Sequence, residues 1–349
     1  MTVTQLLVLP GDGIGEEITE ATLSVVRAAM GERVAFETMA IGLESLAASG
    51  STLPDPVMEA IPKADGVILG PVSHYDYPAG QPNPSATLRT RLELFANIRP
   101  CRSRADLSVL RRPMDLVIVR ENTEGFYADR SMHQGPGEFM PDPDSAFAIR
   151  KVTAAAVRRV SRAAFEIASQ RRRRVTAVHK ANVLKLTDGL FLREVRAVAA
   201  DFPDIELQEV IVDAAAALLI RDPERFDVIV TTNMFGDILS DEASELSGSL
   251  GLGGSINAGE TICVAQAQHG SAPDIAGRGI ANPTSLILSA AMLLDWIARR
   301  SGDSALADGA RRIEAAIDRV LDDPATRTRD IGGTLDTRAF TDAVVGALA

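Results

Sequence analysis

Cysteine and aromatic residues are scarce in this chain of 349 residues, which has two cysteines and 4% aromatic residues. Cys101 and Cys263 stand alone, so they form neither a metal-binding spacing nor a disulfide framework. No run of about 18 apolar residues is present, and the first residues lack the basic start of a signal peptide. These absences exclude a disulfide-stapled scaffold and a membrane span, and we expect a reduced, cytoplasmic protein.

Basic residues are also fewer than acidic residues, with 36 Lys and Arg against 47 Asp and Glu. The net charge is −11 and the pI is about 5.0, which argues against a nucleic-acid partner or an anionic membrane surface. The one basic run, at 171–174, follows an apolar helical pattern, where cations complement the helix dipole. We interpret this run as a solvated helix end.

A complete dinucleotide fingerprint is missing as well. Gly11, Gly13 and Gly15 follow an apolar strand, as in a Rossmann fold, but the third glycine of the fingerprint is replaced by Glu16. A dinucleotide that binds this chain would therefore bind without that fold.

Short apolar segments alternate with helical patterns along the whole chain. The predicted strands are 6–10, 66–70, 116–120, 175–179, 205–212 and 227–231, and the predicted helices lie near 16–30, 151–170, 188–201, 237–249 and 284–299. This alternation predicts an α/β fold with mainly parallel strands. The stretch 128–147 is rich in Gly, Pro and Asp and fits neither period, so we expect an arm or loop there.

Asp237 and Asp241 form the most informative pair in the chain. They lie four residues apart in a predicted helix, so both carboxylates project from one face. Two oxygen donors without a nearby Cys or His suit Mg²⁺ or Mn²⁺ and do not suit zinc. Taken alone, the pair also fits acidic residues that favour a helix N-terminus.

Several segments resemble the β-decarboxylating dehydrogenases that act on isocitrate, homoisocitrate, 3-isopropylmalate and D-malate or tartrate. The motifs are closest to those of the NAD-dependent isocitrate and homoisocitrate enzymes. The matching strings are PGDGIG (10–15), LRTRLELFANIRP (88–100), VIVRENTEGFY (117–127), HKANVLKLTDGLF (179–191), FDVIVTTNMFGDILSDEAS (226–244) and HGSAPDIAGRGIANPT (269–284). They run through nearly the whole chain in the family's order.

The resemblance implies the family's two-domain α/β fold, which is not a Rossmann fold. One domain would comprise 1–99 and 252–349 on the cofactor side, and 100–251 would bind substrate and form the dimer, with the arm near 128–147. The family is dimeric, with active sites in the cleft that are shared between subunits. A homodimer or a dimer-based oligomer is therefore expected.

The family's reaction oxidises a 2-hydroxy acid and then removes the carboxylate on the neighbouring carbon, which leaves an enolate. A divalent cation stabilises the enolate oxygen, and an acid protonates the enolate carbon. By resemblance, Asp237 and Asp241 bind Mg²⁺ or Mn²⁺ together with Asp213 of the partner subunit. Three arginines match the clamp on the malate carboxylates, a role that suits a planar, permanently charged guanidinium: Arg89, Arg99 and Arg120.

The resemblance assigns the two proton-transfer roles to Lys180 and Tyr127. Lys180 matches the base, contributed across the dimer interface, and a lysine acts as a base only when its pKa is depressed. Tyr127 matches the acid, although a buried tyrosine is also an ordinary structural residue. With these groups and the other motif residues intact, a non-catalytic regulatory subunit is the weaker alternative.

The cofactor expected from the resemblance is NAD. Asn182 matches a nicotinamide-side contact, and His269 and Asn282 match residues around the adenine. Asp274 matches the ribose binder, where a carboxylate bonds the 2′-hydroxyl and repels a 2′-phosphate, whereas NADP-using members carry Lys and Tyr at 274 and 275. Gln266 departs from the family, which often has an acid there.

Substrate choice depends on the stretch before Arg89. Isopropylmalate enzymes place paired leucines there, whereas this chain has Ser85 and Ala86. Asn83 and Ser85 resemble the Ser and Asn of isocitrate enzymes with the order exchanged, and the basic residue of some homoisocitrate enzymes is absent. The expected substrate is thus a 3-substituted (2R)-malate with two or more carboxylates. Isocitrate is the first candidate; the alternatives are homoisocitrate, 3-isopropylmalate, D-malate or tartrate, or a specialised anionic analogue.

Overall fold

The computed structural model describes residues 3–104, 106–110, 112–127, 132, 135 and 137–348. The strands in these ranges are β1 (Thr4–Leu9), β2 (Val34–Thr38), β3 (Gly66–Leu69), β4 (Ala96–Arg102), β5 (Asp115–Glu121), β6 (Glu138–Asp142), β7 (Ser145–Ala148), β8 (Arg174–His179), β9 (Glu206–Ile211), β10 (Val228–Thr231), β11 (Ile256–Ala258) and β12 (Cys263–Gln266). The α-helices are α1 (Gly15–Met30), α2 (Gly42–Ser49), α3 (Asp55–Ala60), α4 (Pro84–Arg91), α5 (Ala154–Ser169), α6 (Thr187–Ala199), α7 (Val212–Arg221), α8 (Asn233–Ser247), α9 (Thr284–Ser301), α10 (Ser304–Asp322) and α11 (Thr337–Gly346).

The chain forms two compact units. The first comprises Met1–Thr87, Leu250–Ile256 and Thr261–Ala349, and the second comprises Leu88–Ser249 and Asn257–Glu260. No helix in the described ranges is long and apolar enough to cross a membrane.

The second unit is built on strands in the order β4-β5-β10-β8-β9. Alternate residues of these strands face opposite sides, and the inner strands β5, β8 and β10 are buried on both sides. On β5, Val117 and Val119 pack in a core with α5 and α6, whereas Leu116 and Ile118 pack in a core with α7 and α8. Strands that are buried on both sides need continuous apolar runs, which is why β5, β8 and β10 were recognisable from the sequence.

The first unit contains parallel strands in the order β2-β1-β3-β12. Helices α1, α9, α10 and α11 pack against one another in this unit. Helix α9 is buried along most of its length and packs against β12 and β3. It lies so close to β3 that a side chain at Gly66 would collide with Leu293 of α9. Close strand-to-helix packing thus explains one glycine inside a strand.

Two features add detail to the sequence-based expectations. Strand β4 is antiparallel to β5, an exception to the mainly parallel pairing. Within the predicted arm, 128–131, 133, 134 and 136 lie outside the described residues, but β6 and β7 form an antiparallel hairpin with Phe139 stacked on Phe147. The predicted arm near 128–147 thus contains a hairpin, in which cross-strand pairing supplies the order that local periodicity does not show.

Candidate active site

Two arginines project from neighbouring strands onto the same helix. Arg120 follows Ile118 by two residues on β5, and Arg99 lies opposite Ile118 on β4. Both side chains therefore share the face of Ile118, which packs toward α7 and α8. The side chain of Arg99 is 8% exposed and that of Arg120 is 4% exposed, so both charges lie inside the protein.

Helix α8 provides the partners of these arginines. Arg99 Nη1 donates to Asp241 Oδ1 at 2.6 Å, and its Nη2 lies 3.7 Å from Asp237 Oδ1. Arg120 Nη1 pairs with the same oxygen of Asp237, and its Nη2 donates to Asn233 Oδ1 at 2.6 Å. The two carboxylates, expected on one helix face, are thus brought to a common point by two buried cations.

The electrostatics of this cluster follow from burial. Burial lowers the pKa of Arg120 to about 10, with Asp237 opposing the effect. Burial likewise raises the pKa of Asp241, and Arg99 opposes that shift. Both carboxylates keep access to solvent, with side-chain exposures of 36% for Asp237 and 50% for Asp241. An all-oxygen donor pair of this kind fits Mg²⁺ or Mn²⁺.

The predicted third metal ligand is paired elsewhere in the same chain. Lys180 follows β8 and Asp213 lies in the first turn of α7 after β9, and these two strands are parallel neighbours. Lys180 Nζ forms an ion pair with Asp213 Oδ1, which lowers the pKa of Asp213. Among the described residues no three His, Cys, Asp or Glu side chains are grouped for a metal ion. The assignment of Asp213 to a partner's metal stays a prediction.

Tyr127 lies at the end of a short segment fixed by buried acids. The segment pairs with Lys151 through the backbone of Gly125, and Glu124 accepts hydrogen bonds from the backbone nitrogen and hydroxyl of Thr153 at 2.7 and 2.9 Å. Tyr127 is half-buried and is one of the groups that influence the pKa of Arg120. The structure therefore brings this tyrosine into the electrostatic surroundings of the arginine cluster.

Two other predicted site residues belong to the second unit. Arg89 is half-buried on α4, and Asn182 is exposed in the turn that follows Lys180. Backbone bonds from residues 183 and 184 to the carbonyl of Lys180 hold this turn. The hydrogen bonds and ion pairs described above for Arg99 and Arg120 include neither of these residues.

Asn83 and Ser85 open α4 and already have local partners in the first unit. The Asn83 side-chain oxygen accepts a hydrogen bond from the backbone nitrogen of Ala86 at 3.2 Å, as a helix cap does, and Pro84 occupies the first helical position. Ser85 is buried, and its hydroxyl donates to Gln266 Oε1 at 3.1 Å. Gln266, the departure from the family, thus sets the orientation of Ser85.

The predicted cofactor residues of the first unit occupy loops beyond the carboxyl end of β12. His269 has a lowered pKa because of burial, and its Nε2 is buried without a hydrogen-bond partner among the described residues. Asn282 donates to Asp330 at 3.0 Å, and Asp274 is exposed in a turn. An orphaned ring nitrogen and an exposed carboxylate fit an adenosine with a free 2′-hydroxyl.

The glycine-rich loop that resembles a dinucleotide fingerprint packs against its own chain. Any side-chain carbon at Gly13, which has φ +60°, would lie 2.0 Å from the carbonyl oxygen of Ser271. Asp12, buried in this loop, accepts hydrogen bonds from the backbone of Leu43 and Ser73 and from the Tyr77 hydroxyl. The glycines of this loop therefore permit its close packing against the rest of the first unit.

Sequence reasoning missed several residues that shape the site. Asn233 and Ser240 of α8 bind Arg120 and Arg99, and Asp330 binds Asn282. Asn233 had a detectable signal, since it lies one helical turn before Asp237 on the same face. Asp330 had none, because it reaches Asn282 from 48 positions further along the chain.

Comparison with known proteins agrees with this geometry. The chain is 44% identical over 346 residues to an isocitrate/homoisocitrate dehydrogenase of Thermus thermophilus, covering 99% of this chain and 98% of that protein. It is 41% identical over 347 residues to a 3-isopropylmalate dehydrogenase of Archaeoglobus fulgidus, with 99% of both chains covered. The crystal structure of isocitrate dehydrogenase from Methylococcus capsulatus superposes with a TM-score of 0.88 at 39% identity and 99% coverage of both chains.

The family's sequence pattern, described as isocitrate/isopropylmalate dehydrogenase, matches residues 5–344. Its members are oxidoreductases that oxidatively decarboxylate hydroxy acids with a nicotinamide cofactor and a divalent metal, and they generally form dimers. The predicted family and its α/β fold are confirmed, and the chain belongs to the isocitrate/isopropylmalate dehydrogenase family.

Proposed function

We propose that this chain catalyses the NAD-dependent and Mg²⁺- or Mn²⁺-dependent oxidative decarboxylation of a 3-substituted (2R)-malate, with isocitrate as the first candidate. The observation that carries the proposal is the pair of half-exposed carboxylates on α8, Asp237 and Asp241, held by the buried Arg99 and Arg120. Two guanidinium groups balance two carboxylates there. A divalent cation and the two carboxylates of the malate core add no net charge to that balance, whereas the third carboxylate of isocitrate adds one negative charge.

In this proposal each residue of the site has a separate role in the reaction. Arg99 and Arg120, with Arg89, bind and orient the substrate carboxylates, and their fixed planar forks favour a single pose. Lys180 of the partner subunit accepts the proton of the substrate hydroxyl. Tyr127 donates a proton to the carbon that loses its carboxylate as CO₂. A cation held by Asp237 and Asp241 would supply polarisation of the substrate oxygen, and NAD held in the first unit would supply the acceptor for the hydride.

The choice of NAD rests on Asp274. Its carboxylate is exposed and can accept a hydrogen bond from a ribose 2′-hydroxyl, whereas a 2′-phosphate would meet a like charge. The buried Nε2 of His269 provides a place for a hydrogen bond to the adenine. Both features lie in the first unit and depend on the resemblance for their roles.

The preference for a polar 3-substituent rests on the start of α4. Because the oxygen of Asn83 caps this helix, its amide nitrogen is the atom that would donate to a substrate carboxylate. An isopropyl group beside Asn83 and Ser85 would leave polar groups unpaired, at about 1–3 kcal/mol each. The isocitrate and homoisocitrate activities named for the Thermus relative point the same way.

The test is turnover by the purified chain without other subunits. We expect NAD reduction with isocitrate or homoisocitrate in the presence of Mn²⁺, and loss of that activity after treatment with EDTA. The panel also contains 3-isopropylmalate, D-malate and tartrate, each assayed with NAD and NADP. Preference for 3-isopropylmalate would overturn the substrate argument alone, undiminished activity in EDTA would overturn the metal assignment, and no turnover of any substrate would favour a regulatory subunit.

A further inference from the structure

Arg150 is a buried arginine outside the expected catalytic set. It lies after the β6–β7 hairpin, and its side chain is 7% exposed. Its Nη1 forms an ion pair with Asp188, which is 0% exposed, and donates to Thr187 Oγ1 at 2.7 Å. A fully buried ion pair is costly unless its remaining hydrogen-bonding groups are used, so the other partners of Asp188 and Arg150 are informative.

Asp188 uses its second oxygen on the turn that contains Lys180. Its Oδ2 accepts a hydrogen bond from the backbone nitrogen of Lys180, while its Oδ1 is the atom paired with Arg150. One carboxylate therefore connects the guanidinium to the peptide unit that directs the Lys180 side chain. Movement of Arg150 would move or free this peptide group.

The other end of the guanidinium reaches α8 and the segment of Tyr127. Arg150 Nη2 donates to the hydroxyl of Thr232, the residue that precedes α8, at 3.0 Å. The guanidinium carbon also lies 5.2 Å from the ring centre of Phe235 and 5.8 Å from that of Phe126, within the range of cation–π attraction. Phe126 is adjacent to Tyr127, and Phe235 lies on α8 two residues before Asp237.

We propose that Arg150 is a positioning residue that fixes three segments at once: the turn of Lys180, the start of α8 and the segment of Tyr127. The inference rests on the proposed function for the roles of Lys180, Tyr127 and Asp237. A planar fork is required because its two nitrogens serve different elements while its face lies against aromatic rings. Lysine has a single ammonium group and cannot make all these contacts together.

The experiment compares the full-length Arg150→Met and Arg150→Lys proteins with the unmodified protein. Arg162→Met is the matched control, because Arg162 also pairs with a carboxylate, Asp201, and lies 5.8 Å from an aromatic ring, that of Phe202, but is exposed. Amide hydrogen exchange is measured for peptides that contain residues 180–184 and 124–127, and steady-state kinetics are measured with the best substrate of the panel.

For Arg150→Met we expect faster exchange in both segments and a kcat lowered by about tenfold to a hundredfold, the scale of a misplaced catalytic group. KM for NAD should change by less than about threefold, because the predicted adenosine contacts at His269, Asp274 and Asn282 are unaltered and only the turn of Asn182 is loosened. Arg150→Lys should recover the protection of 180–184, since it can still pair with Asp188, but not that of 124–127. Arg162→Met should match the unmodified protein.

Unchanged exchange in both segments would overturn the proposal, as would Arg150→Lys with the full kcat of the unmodified protein. If Arg150→Met fails to fold, Arg150→Lys decides alone, through the predicted difference between the two segments. If the unmodified protein turns over no substrate, the proposed function fails, whereas the exchange measurement still tests whether Arg150 fixes the turn of Lys180 and the segment of Tyr127.

Discussion

The two units place most of their candidate functional residues at or beyond the carboxyl ends of parallel strands, with Arg99 on the antiparallel β4 as an exception, but the residue types at the two edges differ. In the second unit these residues are charges fixed on strands and helices, such as the buried Arg99 and Arg120 and the partly exposed Asp237. In the first unit the edge consists of loops joined through their backbones, as in the hydrogen bonds from Asp12 to Pro71 and from Ile14 to Ser271.

The difference follows from what each edge is proposed to bind. Charge that develops during a reaction must meet groups that are already oriented, and burial on rigid elements provides this. A cofactor that is bound and released unchanged in its adenosine part needs only a complementary surface, which exposed loops provide. Substitutions in the second unit should therefore affect rates strongly, and substitutions in the first unit should affect selectivity.

The largest effect is expected for Asp237→Asn. Loss of one carboxylate charge should weaken Mn²⁺ binding and lower kcat/KM by at least about a thousandfold, equivalent to several kcal/mol of charge stabilisation. Glu242→Gln on the same helix is the control, and Mn²⁺ titration with activity assays provides the measurement. A variant with near-normal activity at low Mn²⁺ would remove Asp237 from the metal site.

The two proton-transfer groups should be separable. Lys180→Met should abolish the first turnover of NAD reduction. Tyr127→Phe should retain this first turnover, but its steady-state rate should be lower by about a hundredfold or more. Rapid mixing, with absorbance of the reduced cofactor as the signal, distinguishes the two patterns. Lys185→Met and Tyr75→Phe are exposed controls. Normal steady-state decarboxylation by Tyr127→Phe would contradict the role of this tyrosine.

A smaller effect is expected in the first unit. The unmodified protein should prefer NAD over NADP by at least about tenfold, the effect of one charge-assisted hydrogen bond. Asp274→Lys combined with Ile275→Tyr should shift the ratio of kcat/KM values toward NADP without lowering the maximal rate greatly. Asp342→Lys, at an exposed position of α11, controls for net charge. Equal values of kcat/KM with both cofactors in the unmodified protein would contradict the selectivity role expected for the first unit.

The last expected effect is on stability and concerns a buried acid of the second unit. Burial raises the pKa of Glu124 from 4.5 to about 7, so between these values the folded protein keeps a proton that the unfolded chain has lost. The free energy of unfolding should therefore decrease as pH rises from about 4.5 to about 7. Glu124→Gln should remove this dependence and be more stable above pH 7 by at most about 3 kcal/mol.

Urea unfolding at fixed protein concentration and several pH values measures the effect of Glu124→Gln. Glu166→Gln, an exposed position on α5, is the control. Parallel pH profiles for Glu124→Gln and the unmodified protein would show that Glu124 is not a buried, proton-holding group.

Much of the fold was predictable because the central strands of both units are buried. The predicted strands correspond to β1, β3, β5, β8, β9 and β10, and the predicted helices correspond to α1, α5, α6, α8 and α9, apart from a few residues at their ends. The elements that sequence reasoning missed include α10, although its apolar positions Leu306, Ile313 and Ile317 follow a helical period and are buried. Strand β11 has three residues, too few for a period to show, and β2 (VAFET) has no continuous apolar run.

The basic run at 171–174 shows a limit of local reasoning. It was interpreted as a solvated helix end, but Arg171 pairs with Asp115 and with the buried Asp227, and Arg172 donates to the carbonyl of Phe226. The contacts with Asp227 and Phe226 span 56 and 54 positions of the sequence. The interpretation was wrong because the partners of a long side chain are set by strand pairing, which the local pattern does not contain.

The sequence by itself determined the family, the α/β alternation and the helical spacing of Asp237 and Asp241, because these depend on residue order and local period. Tertiary structure alone decided that Arg99 and Arg120 face that pair, that Lys180 meets Asp213, and that Arg150 joins three segments. The physical reason is register. Which side chains share a face of the sheet depends on how β4 and β9 pair with their neighbours, and that pairing is fixed only when the cores on both faces are buried.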